Sequence, residues 1–316
     1  MINTGTYLAV FVLILLLIIT GVALAEKSKL HLYPGDRTGT LIHQGIRRHY
    51  LIHIPNNLPR NQPVPLVFVL HGGGGNPAAI ARLTGFSLLA DSAGFIVVYP
   101  EAVNRHWNDG RDVRRFRSHR KKIDDTGFIS SLIDTLGSRL KIDPSRIYAC
   151  GISNGGMMCH RLGIELPDRL AAIATVAAAL PENLLDRFQP AAPLAVLMFN
   201  GTADPLVPYE GGYVGINGKN GRVISVERTA ELWAEFNRCA REPEQTVIAT
   251  NPEKPEIICK KFPGGIDGTE VVLYRLNGAG HIWPGGKRRP LKFGTYLATI
   301  NATRIIWDFF QRHCRH

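Results

Sequence analysis

The stretch Arg146-Ile147-Tyr148-Ala149-Cys150-Gly151-Ile152-Ser153-Asn154-Gly155 joins an apolar strand pattern to a predicted helix through a G-x-S-x-G motif. The motif alone occurs by chance, but between a strand and a helix it forms a tight turn that projects the serine hydroxyl outward. The flanking glycines stand where a side chain would collide with neighbouring backbone. The helix also directs free N–H groups and its positive dipole end toward the turn. The sequence therefore predicts that Ser153 is a nucleophile.

Short apolar runs and helical patterns alternate along most of the chain. Continuous apolar runs are typical of buried parallel strands, and the predicted strands are 66–70, 95–99, 146–150, 170–176, 194–199 and 271–276. The predicted helices are 86–93, 125–140, 154–165, 226–238 after the N-cap Ser225, and a last one after the N-cap Asn301. An alternating segment at 48–54 favours an antiparallel strand. The pattern predicts an α/β fold whose mostly parallel central sheet is covered by helices on both faces.

An aspartate and a histidine each follow a predicted strand. Asp204 comes after the strand 194–199, and His281 comes after the strand 271–276. Taken alone, the first would be a turn residue and the second a surface side chain. Active sites of open parallel sheets lie beyond the carboxyl ends of the strands, and the order serine, aspartate, histidine suits a hydrolase built on such a sheet. We therefore predict His281 as general base and Asp204 as the acid that orients it.

A glycine run, His71-Gly72-Gly73-Gly74-Gly75-Asn76, follows the strand 66–70. Glycine lets backbone N–H groups approach a substrate carbonyl oxygen, and we assign the N–H groups of Gly73 and Asn154 as oxyanion donors. A phosphate cradle is the alternative, but the Lys-Ser or Lys-Thr pair of a P-loop is missing after this run. His71 is expected to hold the loop by hydrogen bonds.

The first 25 residues differ from the rest of the sequence. An apolar run at 8–19 precedes Ala23-Leu24-Ala25, a small-residue cleavage pattern. We predict that residues 1–25 are a signal peptide, with an uncleaved membrane anchor as the alternative. Residues 26–316 are predicted to form one catalytic domain. Either interpretation places that domain outside the cytoplasm, secreted or periplasmic, and it contacts a membrane only if the segment stays uncleaved.

Positive charge is concentrated in two segments. The formal net charge is +11, and basic residues dominate 105–122 and the cluster Lys287-Arg288-Arg289 with Lys292. One interpretation is a pair of solvated loops; the other is a cationic rim that attracts an anionic substrate or envelope polymer. A nucleic-acid partner is not expected, because no recognised binding module accompanies the charge.

The chain has five cysteines, and none has zinc-ligand spacing. In an oxidising compartment Cys239 and Cys259 are the plausible disulfide pair. Cys150 and Cys159 lie in apolar surroundings and are expected to be buried free thiols. The other histidines form no metal-site pattern, so neither a metal nor a cofactor is predicted.

Several motifs together carry a family resemblance. They are Leu70-His71-Gly72-Gly73-Gly74, Trp107-Asn108-Asp109, Asp124-Asp125-Thr126-Gly127-Phe128-Ile129, Gly151-Ile152-Ser153-Asn154-Gly155-Gly156 and Gly280-His281-Ile282-Trp283-Pro284-Gly285. This set resembles the polyhydroxybutyrate depolymerase/feruloyl esterase family. The resemblance implies the α/β-hydrolase fold, the three catalytic roles above, a bridged Cys239–Cys259 pair and a supporting role for Asp124-Asp125. We expect the motif residues to supply substrate contacts, namely His71, Gly74, Trp107, Asn108 and Trp283.

The predicted function is a serine carboxylic-ester hydrolase that works through an acyl-enzyme on Ser153. Expected substrates are short-chain esters, feruloyl or acetyl groups on plant polysaccharide, and hydroxyalkanoate oligomers. A serine peptidase or acyltransferase with the same triad is one alternative, because pocket shape and water access select the acceptor. A non-catalytic envelope-binding protein is the other.

Overall fold

Strands from both halves of the chain form the framework of the protein. In the computed structural model the described residues are 35–59, 62–251, 254–287, 293–295 and 299–315. Within them the strands are β1 (Asp36–His43), β2 (Ile46–His53), β3 (Val64–Leu70), β4 (Ile96–Pro100), β5 (Ile142–Ile152), β6 (Ala172–Val176), β7 (Ala195–Gly201), β8 (Gly212–Tyr213), β9 (Arg222–Val223), β10 (Glu244–Asn251), β11 (Lys254–Phe262) and β12 (Val271–Leu276). The helices are α1 (Pro77–Thr84), α2 (Phe86–Ala93), α3 (Arg117–Arg120), α4 (Asp125–Gly137), α5 (Asn154–Glu165), α6 (Val226–Asn237) and α7 (Ala302–Phe310).

Ten of these strands form one sheet in the order β1-β2-β4-β3-β5-β6-β7-β12-β11-β10. The middle of the sheet, from β4 to β12, is parallel. The outer strands at both edges pair antiparallel. Every residue of β3, β4, β6 and β7 is buried, which explains their unbroken apolar sequences. The predicted α/β-hydrolase fold, with a mostly parallel sheet, is confirmed.

Local sequence accounts for where most helices begin. The side chains of Ser225 and Asn301 accept hydrogen bonds from backbone N–H groups of α6 and α7, so both predicted N-caps are present. Helices α2 and α5 have the predicted bounds, and α4 stops three residues earlier than expected. The sequence analysis missed α1, although Asn76 caps it and Pro77 occupies its first position.

The predicted disulfide between Cys239 and Cys259 is not present in the structure, where both residues are free thiols. Cys259 alternates along β11 with Lys260, whose Nζ bonds Glu227 of α6, so the Cys259 side chain points to the sheet face away from α6. Cys239 lies two positions beyond Asn237, the last residue of α6, and its sulfur lies 4.0 Å from the Thr269 carbonyl oxygen. The thiols of Cys150 and Cys159 are free and buried, as predicted.

A buried histidine on α5 should make stability depend on pH. His160 is fully buried, and its Nδ1 accepts from the Trp233 indole at 3.1 Å. Burial lowers the pKa of His160 to about 3. The unfolded chain, with a histidine pKa of about 6.5, therefore takes up this proton first as pH falls. We expect the free energy of unfolding to fall by about 1.4 kcal/mol per pH unit from this group below about pH 6.5.

The measurement is urea denaturation at pH 7 and pH 4.5 for the wild type and His160→Gln. The wild type should lose about 2–3 kcal/mol more than the variant across this interval. His49→Gln, at an exposed position, controls for the substitution itself. Equal losses in wild type and His160→Gln would contradict the prediction.

Two predicted features fall wholly or partly outside the described residues. They are the leader at 1–25 and most of the second basic cluster, Arg288, Arg289 and Lys292. In the part of the chain that the structure describes, none of the helices has the length and apolar character to cross a membrane.

Candidate active site

Ser153 occupies the sharp turn between β5 and α5. Its backbone angles are φ 58° and ψ −124°, a region that residues with a side chain rarely adopt. Its N–H donates to the Val176 carbonyl at 2.9 Å, and its carbonyl accepts from Met157 at 2.8 Å. A side chain at Gly155 would collide with the Leu70 carbonyl oxygen, so this position needs glycine. The turn predicted from the motif is therefore present and strained.

The side chains of Asp204 and His281 meet, although 77 positions separate them in the sequence. The His281 Nδ1 lies 2.7 Å from Asp204 Oδ2, and both side chains are almost fully buried. The other oxygen, Oδ1, accepts from the backbone N–H groups of Leu206 at 2.7 Å and Val207 at 2.9 Å. These bonds fix the carboxylate so that one oxygen faces the imidazole.

Backbone contacts tie the Asp204 loop to the His281 loop. The Ala203 N–H donates to the Ala279 carbonyl at 3.0 Å, and the Gly278 N–H donates to Thr202 Oγ1 at 2.8 Å. Gly201 packs so closely against Ala279 that no side chain would fit there. The loops that follow the neighbouring strands β7 and β12 therefore pack against each other.

One cavity of about 530 Å³ brings the predicted nucleophile and base together. Ser153, Asn154 and His281 line it, with the whole glycine run 71–76. The other lining residues include apolar side chains, namely Ile80, Leu83, Phe116, Leu206 and Val214. They also include polar or charged side chains, namely His106, Arg111, Asn220 and Lys287. The cavity thus combines an apolar wall with a small set of polar groups, as binding sites for small molecules commonly do.

The glycine loop packs beside the nucleophile. A side-chain carbon at Gly72 would lie 3.4 Å from the Ser153 Cβ, and one at Gly73 would lie 3.1 Å from the His106 ring. The N–H of Gly74 donates to the Arg105 carbonyl at 2.8 Å, so this group does not face a ligand. Among the described residues, neither the Gly73 N–H nor the Asn154 N–H donates to a backbone carbonyl. These two N–H groups thus remain available at the cavity.

His71 holds the glycine loop through both ring nitrogens. Nδ1 lies 2.8 Å from the Gly72 carbonyl, and Nε2 accepts from the Ala102 N–H at 3.1 Å. Burial lowers the pKa of His71 to about 4. The ring is therefore neutral near pH 7, with its proton on Nδ1, and neither nitrogen is left for a substrate.

Three of the residues predicted to contact substrate lie outside the cavity of Ser153. Trp107 is fully buried and donates its indole N–H to the His71 carbonyl at 2.9 Å. Asn108 donates its amide to the Ile123 carbonyl at 2.9 Å, and Trp283 is buried and bonds Thr303 at 2.9 Å. None of the three lines the cavity of Ser153. Their hydrogen bonds hold the loops behind the cavity instead. The sequence analysis could not show this, since membership of a motif does not reveal which way a side chain points.

The sequence analysis missed a buried polar network behind Asn154. The Asn154 side chain bonds the Trp107 backbone twice, at 2.8 and 3.0 Å, and its amide donates to Asp109 Oδ2 at 2.6 Å. Arg111 pairs with Asp109 through Nε and Nη2, and His119 lies 3.7 Å from the same carboxylate. Burial raises the pKa of Asp109, but Arg111 and the hydrogen bonds outweigh burial and keep it below its usual value.

Two residues of this network, Arg111 and His119, are buried although they lie within the basic segment 105–122. Arg111 is only 5% exposed and His119 only 2%, whereas most of the cations around them are exposed. From composition, the sequence analysis treated all of 105–122 as one basic segment. The short spacing Asp109-x-Arg111 was the available signal of an ion pair.

Comparisons with known proteins agree with this architecture. A family model described as "Esterase PHB depolymerase" matches residues 49–182. NocK of Nocardia uniformis subsp. tsuyamanensis, named as an esterase, is 32% identical over 84% of this chain and 79% of its own length. Feruloyl esterase B of Piromyces equi is 28% identical over 76% of this chain and 44% of its own length. The acetyl xylan esterase structure from Aspergillus awamori has a TM-score of 0.56 at 15% identity, over 87% of this chain and 99% of that one.

The fold and these relatives define a carboxylic-ester hydrolase of the α/β-hydrolase class. Within that class, the chain belongs to the esterase PHB depolymerase family. The non-catalytic binding protein considered from the sequence is therefore wrong. The chain spans less than half the length of the Piromyces equi relative.

Proposed function

We propose that the protein is a serine esterase acting outside the cytoplasm, with Ser153, His281 and Asp204 as its catalytic triad. The observation that carries the proposal is the shared cavity, in which a strained serine and an aspartate-bound histidine stand together. The extracytoplasmic location rests on the leader sequence at 1–25.

Proton transfer follows from the hydrogen bonds of the site. Asp204 holds the proton of His281 on Nδ1, which leaves Nε2 as the acceptor for the Ser153 hydroxyl proton. The serine oxygen attacks the ester carbonyl, and the imidazolium then returns the proton to the leaving alcohol. In the second half, water attacks the acyl-enzyme and gives its proton to His281. The imidazolium then returns the proton to the Ser153 oxygen as the carboxylic acid is released. The Asp204 carboxylate stabilises the imidazolium in both halves of the reaction.

The oxyanion of each tetrahedral intermediate is assigned to the N–H groups of Gly73 and Asn154. Both residues line the cavity, and Asn154 begins α5, whose positive dipole end faces the developing charge. The bonds from the Asn154 side chain to Trp107 and Asp109 hold this helix start in place. Removing one donor of this kind typically costs about 3–4 kcal/mol of transition-state stabilisation.

The proposed substrates are short-chain, feruloyl, acetyl or hydroxyalkanoate esters, in soluble or oligomeric form. Relatives are named for feruloyl and poly(3-hydroxyalkanoate) esters, and one for acetylxylan. A cavity of about 530 Å³ has room for an acyl group of this size and part of its alcohol.

The test combines a mechanism probe with a substrate panel. A fluorophosphonate probe should label the wild type on the peptide that contains Ser153, and p-nitrophenyl butyrate should be hydrolysed with a burst. Methyl ferulate, hydroxybutyrate oligomers and acetylated xylan then rank the acyl groups. Peptide amides and added alcohols test for the peptidase and the acyltransferase. Labelling of a different residue would refute the assignment of the nucleophile.

A further inference from the structure

A groove beside the cavity is lined by positive side chains. We call it the basic groove; its cations are Arg115, Arg117, Arg120 and Lys121, and its other lining residues are Asn104, His106 and Phe116. It has a volume of about 520 Å³, and among the described residues no carboxylate side chain lines it. All four cations are exposed. In the part of the chain that the structure describes, none of them is in a salt bridge, unlike Arg111.

The basic groove adjoins the cavity of Ser153. His106 and Phe116 line both, and their rings stack at 4.0 Å between centroids with an interplanar angle of 17°. A second groove shares Asn104, Arg117 and Lys121 with it and reaches Arg47 on β2, and Glu101 also lines this second groove. A long ligand with an ester in the cavity can therefore run past the stacked rings and along the cations.

We propose that the basic groove binds the chain of a carboxylate-bearing polysaccharide, one of whose hydroxyl-linked acyl esters enters the cavity. This proposal rests on the function proposed above and specifies its substrate class. A polyuronic acid carries both required groups on one chain, since its hydroxyls can be acylated and its carboxylates repeat along the sugars. These cations form no salt bridge among the described residues, and they supply the complementary charge in a groove where no carboxylate side chain has to be displaced. Hydrolysis releases the carboxylic acid and restores the sugar hydroxyl.

An anionic membrane fits these observations less well. Binding to a lipid surface combines cations with exposed apolar side chains that enter the headgroup region. The exposed large hydrophobic residues of the described chain include none between 105 and 122, and among the lining residues of the second groove they include Ile46 alone. The cations here line a groove that shares His106 and Phe116 with the catalytic cavity instead.

The test compares matched substrates and matched variants. The substrates are O-acetylated polygalacturonate, its carboxyl-reduced neutral counterpart and p-nitrophenyl acetate, with acetate or nitrophenol release measured at low and high salt. The test variant is Arg117→Gln/Arg120→Gln/Lys121→Gln. The control variant removes three exposed cations elsewhere, Arg37→Gln/Arg139→Gln/Arg241→Gln, and so has the same change in net charge.

At low salt the wild type should have a kcat/KM about tenfold or more higher on the charged polymer than on the neutral one, within the range of electrostatic steering. The test variant should lose this preference and keep its activity on p-nitrophenyl acetate, while the control variant should resemble the wild type. High salt should reduce the preference of the wild type in the same way, because it screens exposed charges.

Each contrary result has a separate meaning. If the wild type does not hydrolyse p-nitrophenyl acetate, the proposed esterase function fails before the groove is tested. If that activity is present but both polymers react equally, or both variants lose the preference equally, the groove proposal is overturned. It is also overturned if the test variant loses binding to phosphatidylglycerol vesicles while its polymer preference is unchanged.

Discussion

Replacing Ser153 with alanine is expected to lower kcat/KM for p-nitrophenyl butyrate by about 10⁴-fold or more. The hydroxyl is the only group of this side chain that the proposed mechanism uses, so the variant has no atom to form the acyl-enzyme. Residual catalysis from the oxyanion donors sets the remaining rate. The measurement is steady-state kinetics with the fluorophosphonate probe as a second readout, since the variant should not be labelled.

The fold should survive this substitution. Alanine and serine both carry a Cβ, so the strain of the positive φ at residue 153 is the same in both proteins. Ser153→Gly provides a matched comparison because it removes the hydroxyl and the strain together. It should be as inactive as Ser153→Ala but more stable by about 1 kcal/mol in urea denaturation. A loss of activity below tenfold in Ser153→Ala would mean that another residue is the nucleophile.

Replacing Asp204 with asparagine is expected to lower kcat by about 10³–10⁴-fold. The reason lies in the two backbone donors, Leu206 and Val207, which require an oxygen at the Oδ1 position. The amide NH₂ of asparagine must then face His281 Nδ1. This arrangement makes Nδ1 an acceptor and places the imidazole proton on Nε2, where it cannot receive the proton of Ser153. The variant thus keeps the site geometry but holds the wrong tautomer.

Kinetics at several pH values and a thermal melt check this prediction. Asp267→Asn is the control, because Asp267 is exposed in the turn 266–268 before β12 and does not line the cavity of Ser153. The control should retain wild-type kcat, and both variants should melt as cooperatively as the wild type. Wild-type turnover in Asp204→Asn would show that His281 is oriented by some other group.

Much of the fold was predictable because its signals are local. The bounds of α5 follow from a helical pattern that begins right after the nucleophile, and the unbroken apolar runs of β3, β4 and β7 identify them as buried strands. The missed helix α1 carried a local signal as well, in Asn76-Pro77. The pairing of β1 with β2 was missed because the β1 segment alternates weakly and lies at the sheet edge.

The approach of Asp204 to His281 was predictable for a different reason. Each residue follows a parallel strand, and the carboxyl ends of neighbouring strands meet at one edge of the sheet. Strands β7 and β12 are paired directly, so their following loops must come together. Chain order and strand position sufficed here, without knowledge of any side-chain contact.

The predictions that differ from the structure concern residues in the loops between strands. Trp107 and Trp283 belong to family motifs, yet both indoles are buried. The Trp107 indole donates to the His71 carbonyl, and the Trp283 indole donates to Thr303 Oγ1. Arg111 and Arg117 lie six positions apart in the same basic segment, but one is a buried partner of Asp109 and the other is exposed in the basic groove. Sequence composition cannot separate such neighbours.

The sequence by itself determined the strand and helix pattern, the strained serine turn and the order of the proposed catalytic residues, because spacing along a strand or a helix sets these features. Only the tertiary structure decided the network behind Asn154, the free state of Cys239 and Cys259, and the position of the basic groove beside the cavity. These depend on which loops pack against each other, and contacts between residues far apart in the chain leave no periodic trace in the sequence.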